Sequence, residues 1–237
     1  MLSLSDAVRR IHAAGLPVLF ADTCILLDVI RAPLRPAVLR GCVEAARELH
    51  QLVTSSPARC TLVAPSFVPR EWLAHSPSEA EKLSAHLAEF DDESERLRDY
   101  LGLMGITPAF PRPEYRRLPL VERLHDLSRQ LLGSSLQLEA DQGCILRAYG
   151  RATSHAPPSC KGGEVKDSTI IEECLEACRR LHDAGFSPKR VFCTSNRNDY
   201  CEKGSSRLHA VLAADFESVG LEFAASLPQA LSLIMRP

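Results

Sequence analysis

The stretch Val18-Leu19-Phe20-Ala21-Asp22-Thr23 decides the fold. A short apolar run ends there in a carboxylate and a hydroxyl. Far downstream, Arg190-Val191-Phe192-Cys193-Thr194-Ser195-Asn196-Arg197-Asn198-Asp199-Tyr200 repeats the arrangement, with hydroxyls, an amide and an acid after the apolar residues. Short runs rich in Val and Phe, flanked by helical patterns, predict buried parallel strands, and ligands of such sheets sit at the strands' carboxyl ends. Asp22 and Asp199 are therefore expected to face one crevice.

Outward from these runs the chain alternates. Ser3 to Ala14 reads as a helix closed by Gly15, and Pro17 introduces the first strand. A helical pattern follows Asp22 to Ile30, breaks around Pro33 and Pro36, and resumes from Ala37 to about Val53. A second strand is expected at 60–64, a short helix from Val68 to His75, and an exposed, charged helix from a capping box at Ser78 and Glu81 to Leu101. Prolines 108, 111, 113 and 119 mark an extended connection. Helices are expected from Val121 to Leu132 and from Ser135 to about Tyr149, then a loop over 151–163. A late helix, a strand at 190–193, a helix near Arg207 to Asp215, a strand at 220–224 and a closing helix at 227–235 complete the pattern. Such alternation predicts an α/β fold, a central parallel sheet flanked by helices on both faces. The chain of 237 residues reads as one domain, with 76–159 as a helical insertion.

Two more acids join the first two. Asp167 precedes Ile170, Ile171, Cys174, Leu175, Cys178 and Leu181 at helical spacing, so it extends the core-facing stripe of the late helix. Glu71 opens the helical pattern after the second strand. Four carboxylates from four segments repel one another unless a cation offsets them, and the oxygen donors suit a hard ion such as magnesium or manganese.

The remaining composition narrows the function classes. A net charge of -2 gives no general basic excess for nucleic acid, but Lys161, Lys166, Arg190, Arg197, Lys203 and Arg207 cluster near the expected crevice and permit a phosphate-binding rim. Nine cysteines without a signal peptide read as reduced cytosolic thiols, and Cys174 with Cys178 lacks the second ligand pair a zinc site needs. No apolar stretch approaches the roughly 18 residues of a membrane span. A soluble cytoplasmic protein is expected. No phosphate-binding glycine loop or dinucleotide fingerprint is present.

Taken together, Asp-Thr after strand one, an acid in an early helix, the Lys161-Gly162-Gly163-Glu164-Val165-Lys166-Asp167 approach to the late helix, and Thr194-Ser195-Asn196 with Asp199-Tyr200 resemble the PIN-domain nucleases. The resemblance covers 17–75 and 160–225 well and 76–159 poorly. It implies a three-layer PIN-like fold and a metal-dependent endoribonuclease, with a toxin of a toxin–antitoxin pair as one form of it. It further implies Asp22, Asp167 and Asp199 as holders of Mg2+ or Mn2+, Glu71 as completing the cluster or orienting water, and Thr194, Ser195 and Asn196 as support. Lys161, Lys166 and Arg197 are the expected substrate contacts. Asn196 stands where many such domains carry another acid, which points to one firmly held ion. RNA is the expected partner, and a protein antitoxin or a second copy of the chain are the protein partners left open.

Simpler roles compete with these. Asp22 and Asp167 can act as helix caps, and Glu71 as a first-turn acid with Glu172 as its nearest substitute. Trp72 reads as core, His155 as surface, and Tyr200 as packing against the sheet end. A catalytically weak scaffold that binds RNA or a protein is the second functional reading. A phosphatase with Asp22 as nucleophile is a third, disfavoured because Cys24 stands where such haloacid-dehalogenase-like enzymes need a second Asp.

Overall fold

The computed structural model describes residues 1–35, 41–107, 114–160 and 165–236. Among these, β1 (Val18–Ala21), β2 (Thr61–Ala64), β3 (Leu136–Gln137), β4 (Arg190–Cys193) and β5 (Leu221–Ala224) form one sheet, in the order β3-β2-β1-β4-β5. Every pairing is parallel. All four residues of β1 and of β4 are buried, as strands covered on both faces must be.

The helices are α1 (Leu4–Ala14), α2 (Thr23–Arg31), α3 (Gly41–Thr54), α4 (Val68–Leu103), α5 (Leu120–Ser134), α6 (Gln142–Thr153), α7 (Val165–Asp183), α8 (Arg197–Tyr200), α9 (Ala210–Ser218) and α10 (Leu227–Ile234). They pack in two sets. Helix α2 contacts α3, α4 and α5, with α10 against α3, whereas α7 contacts α1 and α6. The path of the chain matches the division: from β1 it steps through β2 to β3 in one direction, then returns to β4 and β5 in the other, as crossovers of one hand require. The order reverses between β1 and β4, which opens a crevice at their carboxyl ends.

Several boundaries differ from the sequence reading. The stretch expected as one helix from Ser135 instead gives β3, which pairs with β2 through Val63 and Leu136, and α6 starts only at Gln142, capped by Asp141. The stretch 76–159 thus also supplies the edge strand and a helix packed along α7. Helix α4 runs unbroken through Pro77, so Ser78 caps nothing. Pro77 removes one backbone donor and frees the carbonyl of Leu73, and both residues are exposed. Although α4 is largely exposed, Trp72, Ser76, Glu79, Leu83, Leu87 and Asp91 form a buried stripe at helical spacing. Pro36, Pro108, Pro111 and Pro113 lie outside the described residues. No described helix is long and apolar enough to cross a membrane.

Polar links tie the helices behind the crevice together. The Trp72 indole donates to Ser128 Oγ (2.8 Å), and Ser128 Oγ donates to the Leu26 carbonyl (2.7 Å), joining α4, α5 and α2 through one buried hydroxyl. Arg31 on α2 donates from Nη2 to Glu79 Oε1 on α4 (3.0 Å), with Nε in ion-pair range of Oε2 (2.9 Å), and this hydrogen bond, with Lys82 and the nearby positive charges behind it, holds Glu79 down at about 2. A carboxyl lowered on folding contributes stability above its unfolded value of 4.5, and that contribution is lost as pH falls through the folded value.

Ser128→Ala leaves two buried polar groups short of a partner and is expected to cost about 2 kcal/mol in urea unfolding at pH 7. Glu79→Gln is expected to cost about 2 kcal/mol at pH 7 and almost nothing near pH 2, where wild type has lost the same contribution; the two unfolding curves measured across that range check it.

Candidate active site

Register builds the site. Ala21 pairs with Cys193, and the Asp22 amide donates to the Cys193 carbonyl (3.1 Å), so Asp22 and Thr194 leave the sheet side by side. Thr194 Oγ1 donates to Asp22 Oδ2 at 2.6 Å, and the Thr23 amide donates to Asp22 Oδ1 at 2.7 Å. Asp22 therefore caps α2 and lines the crevice at once. Cys24 adds its thiol to Asp22 Oδ2 (3.1 Å) and accepts the Ser195 amide (3.1 Å). Burial drives the Asp22 carboxyl above its ordinary value, against the pull of the Thr194, Cys24 and Thr23 donors; Glu71 adds to the rise. Burial, with the Asp22 charge behind it, likewise raises the Cys24 thiol, which keeps it protonated.

Glu71, in the first turn of α4, accepts Thr23 Oγ1 (2.8 Å) and Lys166 Nζ (2.7 Å), which links the starts of α2, α4 and α7. The Asn196 amide donates to Asp199 Oδ2 (2.9 Å) and, more weakly, to Asp167 Oδ2 (3.5 Å). Its own backbone amide donates to Thr194 Oγ1 (3.1 Å). Beneath them Tyr200 is fully buried, packs on Phe192 with ring centres 5.4 Å apart, and donates from its hydroxyl to the Asp167 carbonyl (3.4 Å). Complete burial of such a ring stabilises the fold by about 2 kcal/mol and fixes the backbone that carries Asp167.

These residues line an open cleft of about 460 Å³. Asp22, Glu71, Lys166, Asp167, Ser195, Asn196 and Arg197 all face it, and Asp199 is tied to it through Asn196. Among the described residues, no three His, Cys, Asp or Glu side chains are grouped closely enough to hold an ion together as they stand. Asp22, Asp167 and Asp199 are the carboxylates around which an ion would have to sit, with water completing its shell.

Some expected members are elsewhere. Lys161, Gly162 and Gly163 lie outside the described residues. Arg190 begins β4 at the opposite end of the sheet, is buried, and donates to the Cys178 carbonyl (3.3 Å). Glu172 pairs with Arg147 and Arg151 on α6. Lys203 borders a neighbouring groove that shares Arg197 with the cleft, and Arg207 is exposed nearby. Trp72 is core.

The cleft also contains Cys24, Leu27, Arg31, Arg35 and His75, which motif reading missed. Spacing alone carried the signal. Positions 24, 27 and 31 fall on one face of α2, Arg35 follows just beyond its end, and His75 follows Glu71 by one turn. Arginines at this rim offer planar donors suited to phosphate oxygens.

Thr194→Val removes the donor that aims the buried Asp22 and is expected to cost about 2 kcal/mol in urea unfolding at pH 7; an unchanged unfolding curve would mean Asp22 needs no such support. No protein-family model matches this chain, and no curated protein or solved structure matches it either.

Proposed function

We propose that the chain is a metal-dependent nuclease of the PIN-like type that hydrolyses RNA phosphodiester bonds. One observation carries the reading. Asp22, Glu71 and Asp167, with Asp199 held through Asn196, converge from four separate segments at the point where strand order reverses, beneath a rim of Arg31, Arg35, Lys166 and Arg197. An acidic floor under a basic rim suits a cation below and a phosphodiester above.

The donor set fits magnesium or manganese, since it offers carboxylate oxygens around a buried Asp22 whose pKa is raised by that burial. Held by Asp22, Asp167 and Asp199, such an ion would supply a Lewis acid for the phosphoryl group and lower the pKa of water. The chain's own residues do the rest. Thr194 and the Thr23 amide orient Asp22, and Asn196 holds Asp199 while reaching Asp167. Glu71, fixed by Thr23 and Lys166, is the acceptor for the attacking water's hydrogen bond in this reading. Arg197 and Arg35 meet the phosphates on either side. Asn196, neutral where another acid would add charge, limits the site to one ion.

The Lys166–Glu71 ion pair and the spread of the carboxylates favour, as a second reading, a catalytically weak scaffold that binds RNA. Labelled RNAs and single-stranded DNAs incubated with Mg2+, Mn2+ or EDTA separate the two. Cleavage is expected only with metal, and at least about a hundredfold less in Asp22→Asn and in Asp167→Asn. Asp22→Asn also removes a buried charge, so it should melt no lower than wild type at pH 7.5 yet lose the Tm gain that Mn2+ gives wild type. RNA binding without cleavage in any metal would establish the scaffold instead.

A further inference from the structure

A second cavity, of about 380 Å³, adjoins the cleft and shares Arg35, Ser195 and Arg197 with it. Its walls are apolar: Ile25 from α2, Cys42 from α3, and Leu227 with Pro228 from the start of α10. Asp28 also lines it. That aspartate is only 4% exposed, and its Oδ1 meets Arg35 Nη1 at 3.4 Å and Arg31 Nη1 at 3.8 Å. Among the described residues its hydrogen bonding runs through Oδ1, and Oδ2 is not among the atoms buried without a partner, so it keeps contact with solvent. A carboxylate oxygen with spare acceptor capacity, reachable from the cavity and set in an apolar slot, marks a place where a ligand's donor completes the bonding.

We propose that this cavity is a guanine-binding subsite for a nucleotide next to the one that occupies the cleft. This rests on the nuclease reading for its strand and deepens it by naming a base. The chemistry selects the occupant. A carboxylate only accepts hydrogen bonds, so it rewards a base edge that offers adjacent donors. Guanine presents N1–H and the N2 amine side by side, whereas adenine and cytosine each present one amine and uracil one imide N–H on that edge. A cationic side chain is a poor rival, because Arg31 and Arg35 already stand beside Asp28 and Arg197 lies at the cavity's edge. The apolar walls suit the faces of a flat ring, as protein pockets for unstacked bases do. Arg35 and Arg197, at the junction of the two cavities, are placed for the phosphate that links the nucleotides.

The test uses short uridine-rich RNAs carrying G, inosine or A at one position, with binding measured by fluorescence anisotropy in EDTA and cleavage measured in Mn2+. Binding is expected about tenfold tighter for G than for A, with inosine, which lacks the N2 amine, in between. Cleavage should map beside G. Asp28→Asn, checked for folding by its melting curve, should remove the preference; if that variant does not fold, the inosine substitution decides alone. Calorimetry with guanosine and adenosine monophosphates supplies a readout independent of cleavage. RNA cut or bound with no base preference would overturn the subsite and leave the nuclease reading standing. Guanosine monophosphate binding lost in Asp28→Asn, with no RNA cut under any metal, would retain the subsite and overturn the nuclease.

Discussion

The parallel pairing of β1 with β4 is the constraint on which the rest of the molecule depends. Cα register sets Ala21 beside Cys193, and because side chains alternate along a strand, a slip of one residue would turn Asp22 and Thr194 away from each other. The 2.6 Å hydrogen bond between them would be lost, along with the approach of Ser195 and Asn196 to Cys24 and Asp199. The register is held by burial. Phe20 and Phe192 are paired neighbours with no exposed surface, and a slip would strand apolar side chains against the wrong helix layer.

Around that seam the protein manages a concentration of negative charge without a large positive excess. Hydrogen bonds from Thr23, Thr194 and Cys24 meet Asp22, an ammonium meets Glu71, and one amide serves Asp199 and reaches Asp167. Among these contacts, dipoles and Lys166 share the task. Neutral donors orient a carboxylate without cancelling its charge. Arg31, Arg35 and Arg197 line the same cleft.

Sequence revealed the parts of this arrangement that announce themselves locally. Four strands stood out as short apolar runs between helical patterns, and Asp22 and Thr194 as the polar residues that end two of them. Asp167 was visible because Ile170, Ile171 and Cys174 follow it at helical spacing. What escaped depended on distance or on brevity. Two residues cannot display an alternating pattern, so β3 was hidden inside an expected helix. Pro77 reads as a boundary, yet on the exposed side of α4 its lost hydrogen bond is inexpensive and the helix continues. Arg31, at the end of α2, and Arg35, just past it, belong to the cleft because α2 runs along it, and a motif centred on acids gave no reason to follow the chain that far. Asp28 was overlooked for the same reason.

Brevity at β3 has a consequence for the molecule in a crowded solution. A parallel sheet of this kind has two borders at which unpaired amides and carbonyls can recruit strands from another chain. At one border β3 spans two residues, and the rung beyond it is taken by the chain's own Leu2, whose amide donates to Gln137 and whose carbonyl accepts the Glu139 amide, both at 2.8 Å. At the other, β5 carries a charged residue, Glu222, within its four. Both devices are ones that natural sheets use against edge-to-edge aggregation. The strand that sequence reading could not see is thus too short to serve as a template for another chain.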